Sequence, residues 1–167
     1  PYTGSGALLI AALYLGVTDA PVTSSLQKLL GWHLWTSVTL LALLLPLLVL
    51  AVTVAKGQIH TVVLVVLVLA PAVLLYQTLG AACARIIPLP TFRHVLAWGS
   101  GAILLHLAGL YLPAANPVVT TANVIGSAGA SSTSLWLTTL EPFSYGIAIG
   151  VPLIGAGFLT VSVVLWK

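Results

Sequence analysis

The sequence predicts an all-α integral membrane protein: a helical bundle of four transmembrane helices, with a short N-terminal segment as a candidate fifth. Three observations carry this. Of 167 residues, 60% are hydrophobic and 4% charged, against about 25% charged in soluble domains. The chain therefore cannot cover a water-facing surface, which excludes a cytosolic globular enzyme. Four apolar stretches each exceed the roughly 20 residues that cross a bilayer. The few cations fall near the ends of those stretches, as expected at membrane interfaces.

The N-terminal segment, 1–24, is apolar only from Ser5 to Val17. That reads as a half-span or a fifth helix, with Pro21 as its exit. Thr23, Ser24 and Ser25 offer an N-cap for a helix that starts near Leu26, includes Lys28 and ends at Lys56-Gly57. Pro46 lies at its middle, where membrane helices tolerate proline. The next span runs from about Ile59 to Ala84, with Pro71 inside and Arg85 at its end. After the Pro88-Leu89-Pro90 turn, Thr91 caps a third helix reaching Leu112. Short links make these three helices antiparallel neighbours, and residues 25–112 read as a three-helix core.

Residues 113–141 are rich in Ala, Ser, Thr, Asn and Gly. With Asn116-Pro117 as a turn signal, they read as an extramembrane loop. Pro142 suits a first helical turn, and the last span closes the chain over 142–167. A single Cys excludes an internal disulfide framework. The dispersed cations form no basic patch for nucleic acid, so the partner implied is the lipid bilayer.

Four histidines stand out, because an ionisable or coordinating residue at membrane depth is a functional hypothesis by default. A b-type heme in a bundle needs two imidazoles on different helices, at similar depth, facing one slot. His33 and His94 lie near the starts of two helices that run the same way, so they share a membrane face. Lys28, Arg85 and Arg93 lie near that face and suit heme propionates. His60 and His106 lie toward the opposite face and are the candidate ligands of a second heme. Twelve residues leave His94 and His106 about 120° apart around their helix, which favours one heme over two. The glycines, among them Gly80, Gly99 and Gly101, permit close approach of a macrocycle or of another backbone.

The run Gln77-Thr78-Leu79-Gly80, the Pro88-Leu89-Pro90 turn and His94, together with Gly31-Trp32-His33, resembles a single four-helix half of heme A synthase over residues 26–112. Leu30 stands where that family has a carboxylate, and Leu34 where it has an arginine. More loosely, the chain is similar to cytochrome b-561-like membrane anchors, which share paired histidines across a bundle.

The function expected is a b-type cytochrome subunit that carries electrons, to or from quinol, within a respiratory complex. Heme b and quinone are the implied cofactors, and other subunits of a membrane redox complex the implied partners. Two alternatives stand beside it: a heme A synthase-like enzyme, and a non-redox accessory subunit. The expected location is a prokaryotic cell membrane. Counting cations places the side bearing Lys28, Arg85, Arg93 and Lys167 in the cytoplasm.

Overall fold

The computed structural model describes residues 2–20, 25–56, 58–128 and 142–165, and among these every element is helical. The six α-helices are α1 (Tyr2–Asp19), α2 (Leu26–Val54), α3 (Ile59–Ile86), α4 (Pro90–Tyr111), α5 (Pro117–Ala128) and α6 (Pro142–Leu165), with a 3-10 turn at Pro113–Ala115. Four of them, α2, α3, α4 and the described part of α6, are long and apolar enough to cross a membrane. Their outward faces carry Leu43, Val63, Ile103 and Ile154, among other exposed apolar side chains. Such faces belong against lipid.

Helix starts follow the local chemistry. Ser25 is the N-cap of α2, its hydroxyl accepting from the Lys28 N–H at 3.5 Å. Proline opens α4 at Pro90, two residues earlier than a Thr91 cap requires, and Leu89 holds the cap position. A first-turn proline lacks only an N–H that would have no helical partner. The chain turns out of α2 through Lys56, a non-glycine residue in the left-handed region (φ 56°).

Two side-chain bonds fix the register of the hairpins. Ser37 donates its hydroxyl proton to Gln77 Oε1 at 2.9 Å, and Tyr76 donates its own to the Gly101 carbonyl at 3.1 Å. Ser37 and Gln77 are equidistant from position 57. Tyr76 and Gly101 are equidistant from the Pro88-Leu89 link, as antiparallel hairpins require. Replacing Tyr76 with Phe should lower bundle stability by about 1 kcal/mol. Unfolding in mixed detergent micelles reads this, and an unchanged midpoint would mean that the bond does not hold α3 to α4.

At the centre is α3, which packs against all five other helices. Half of its most apolar stretch is buried within the protein, against 11% for α4. The N-terminal segment is a continuous helix of 18 residues, about 27 Å long, and it packs along α3 and α2. Gly4 of α1 lies against Leu44 of α2, while Gly16 lies against Gln77, so α1 runs opposite to α2 and parallel to α3. At Gly16 an added Cβ would collide with the Gln77 carbonyl. At Gly80 it would collide with the Leu13 carbonyl and stand 2.9 Å from the Val17 nitrogen. The α1 and α3 backbones are in direct contact there.

Residues 113–128, expected as part of a loop, form the 3-10 turn and α5, which packs on α1 and α3 with Val124 and Ile125 in the core. Asn116 explains the difference. Its side-chain oxygen accepts from the Val118 and Val119 N–H groups at 3.0 and 3.2 Å, and its amide donates to the Leu105 carbonyl at 3.0 Å. Asn116-Pro117 is thus a helix cap and first-turn proline rather than a bare turn. Residues 129–141, Trp166 and Lys167 lie outside the described residues.

Candidate functional site

The buried stripe of α2 runs Leu29, His33, Ser37, Leu40, Leu44, Leu48 and Val52. This is a three-to-four-residue spacing that points one face at the bundle. His33 sits in that stripe about 10 Å from the helix start. A helix of 29 residues is about 43 Å long, longer than a hydrocarbon core of about 30 Å. A helix centred in the bilayer would have His33 just inside the hydrocarbon edge.

The imidazole is 1% exposed, and neither ring nitrogen makes a hydrogen bond. The Gln77 amide comes close without reaching hydrogen-bond geometry, and its Nε2 is likewise buried and unbonded. Trp32 meets the ring edge-on, with centroids 5.0 Å apart. Leaving a buried donor or acceptor unsatisfied costs about 1–3 kcal/mol, so such a group in a native core calls for an explanation.

The residue borders a cavity of about 220 Å³ between α2, α3 and α6, whose walls include Leu30, Leu74, Thr78, Leu153, Gly157 and Thr160. Thr78 donates its hydroxyl proton to the Leu75 carbonyl at 2.9 Å, and Thr160 to the Ala156 carbonyl at 2.7 Å. Both hydroxyl oxygens keep acceptor capacity. Leu29, Ala82 and Val163 form a small apolar cluster one turn further along the three helices, which closes one end. The Ser37–Gln77 bond lies toward the other. Sequence reasoning singled out His33 but not Thr78, Thr160 or the α6 wall, because the rotation of an uncharged helix leaves no trace in its composition.

His94 is placed differently. Its ring stacks on Tyr14 of α1, with centroids 5.8 Å apart and planes at 27°. Measured from the two register bonds, His33 and His94 differ in depth by about 3 Å, as expected of residues near one membrane face. They do not face one slot. Both α2 and α4 pack on the α1–α3 pair rather than on each other, and the α1 and α3 backbones are in direct contact. A heme iron takes two axial imidazoles from opposite faces of one flat slot. The two imidazoles here have different neighbours, His33 the cavity walls on α3 and α6 and His94 the Tyr14 ring of α1.

His60 is exposed at the start of α3, whereas His106 lines a groove beside Asn116. From the Tyr76–Gly101 bond, His60 lies about 24 Å away and His106 about 7–8 Å, in the same direction. The pair is mismatched in depth by about 16 Å, which a shared heme does not bridge. Arg93 donates through Nη2 to the Pro88 carbonyl at 3.1 Å, closing the α3–α4 turn. Lys28 is exposed and Arg85 half-buried, near the same end. Gly80, expected to admit a macrocycle or a backbone, meets the backbone of α1.

Among the described residues no group of three or more His, Cys, Asp or Glu side chains is placed to hold a metal ion. Comparison with protein-family models, with curated proteins and with solved structures finds no match to this chain.

Proposed function

We propose that the chain is a membrane-embedded electron-transfer subunit that works with quinol inside a larger respiratory assembly. The observation that carries this reading is His33, a buried imidazole with both nitrogens unbonded, within a membrane-length helix and beside a cavity. Its cost in stability is explained by a ligand that the imidazole engages in function. A purely structural subunit gives that cost no purpose. A heme-modifying enzyme needs an acid beside its substrate, and Asp19, the one acid among the described residues, is exposed at the end of α1. The broad apolar faces of α2, α4 and α6 suit both lipid and neighbouring subunits.

Membranes that carry the assembly test this reading. His33→Leu should lower quinol-dependent electron transfer by about tenfold or more, while the assembly keeps its size on native gels. An unchanged rate overturns it.

A further inference from the structure

We infer that the cavity beside His33 is the binding site of a quinone headgroup, entered sideways from the lipid. The inference rests on the redox reading above and names the ligand and the residues that recognise it.

Position argues first. With α2 centred in the bilayer the cavity would lie just inside the hydrocarbon edge, and its rim residues Leu30, Leu34, Leu153 and Gly157 are exposed on the outer faces of α2 and α6. A ligand with a flat polar head and a long apolar tail can place the head among α2, α3 and α6 and leave the tail in lipid. Size argues second. At about 220 Å³ the space holds a single substituted ring and falls below the roughly 300–1,000 Å³ of sites that enclose larger ligands.

Chemistry argues third. A neutral imidazole has one N–H donor and one acceptor nitrogen. The N–H of His33 matches a quinone carbonyl, and its acceptor nitrogen matches a quinol hydroxyl. The Thr78 and Thr160 oxygens, their protons committed to backbone carbonyls, accept from a quinol hydroxyl at the opposite wall. The remaining lining is aliphatic and suits the ring faces. At Gly157 an added Cβ would meet nothing within 4 Å, so the missing side chain leaves open space along the α6 wall. A lipid acyl chain would fill the volume but satisfy neither nitrogen, and it makes no use of the two threonines.

The test is photolabelling of the full chain in lipid nanodiscs with an azidobenzoquinone bearing a ten-carbon tail, read by peptide mass spectrometry. Labelling should concentrate in residues 30–34 and 153–160 and be displaced by excess decyl-benzoquinone. It should fall about tenfold in His33→Leu and in Gly157→Leu. The second variant fills the cavity from a position with open space, so it does not depend on tolerance at His33. Labelling spread over outward residues such as Val95 and Ile103, or insensitive to both variants, overturns the inference. Quinol-dependent electron transfer by membranes that carry the assembly separates the two failures. Absent labelling with transfer that still falls in His33→Leu removes the quinone site and leaves the redox subunit. Absent labelling with transfer unchanged in His33→Leu removes both.

Discussion

Gly80→Leu should destabilise the bundle by about 3 kcal/mol or more. A Cβ at position 80 would run into the Leu13 carbonyl and the Val17 nitrogen. These are backbone atoms of α1, which cannot rotate aside as a side-chain end can. Close backbone approach through glycine is a main source of helix association in lipid, where apolar burial drives little. Wedging α1 away from α3 therefore removes dispersion contacts that nothing replaces. Gly16→Leu should act in the same way from the facing helix, against the Gln77 carbonyl. In contrast, Gly146→Ala and Gly150→Ala meet open space and should be neutral or slightly stabilising through helix propensity. Unfolding in mixed micelles ranks all four. Equal midpoints for Gly80→Leu and the unmodified chain would mean that α1 is not seated on α3.

His33→Leu should have the opposite sign on stability from its effect on function. The substitution removes two unbonded nitrogens from a site 1% exposed and puts an aliphatic side chain among Leu29, Leu74 and Leu153. Removing an unsatisfied buried polar group recovers part of its desolvation cost, so the variant should be as stable as the unmodified chain or more stable by about 1 kcal/mol. Quinone binding and quinol turnover should nonetheless be lost. Stability gained as activity is lost is the expected signature of a residue kept for function. A His33→Leu chain destabilised by several kcal/mol would show instead that the imidazole serves the fold.

The span boundaries were legible because uncharged length and end signals act locally: Ser25 caps α2 and Ile59 begins α3 as their sequence context implies. His33 was legible for the same reason, as a coordinating residue at membrane depth. What it faces was not, since the cavity wall comes from α6, more than a hundred residues away in the chain. Pairing of His33 with His94 follows from depth, and depth is set by position along a helix. Facing is set by rotation and by which helices pack together, and here α2 and α4 pack on the α1–α3 pair rather than on each other. That role of α1 was hidden by its short apolar run and by Gly16, a single glycine whose use depends on Gly80 in another helix. Composition also misled at 113–128, where residues common in loops form a capped helix.

The most direct test of the quinol-linked role of His33 is the quinone content of the chain purified from its own membranes in mild detergent, extracted into organic solvent and counted against protein. The unmodified chain should retain about one quinone per chain, and the His33→Leu chain almost none. Equal retention by both, or none by the unmodified chain, would contradict the assignment of His33 as the residue that engages quinone.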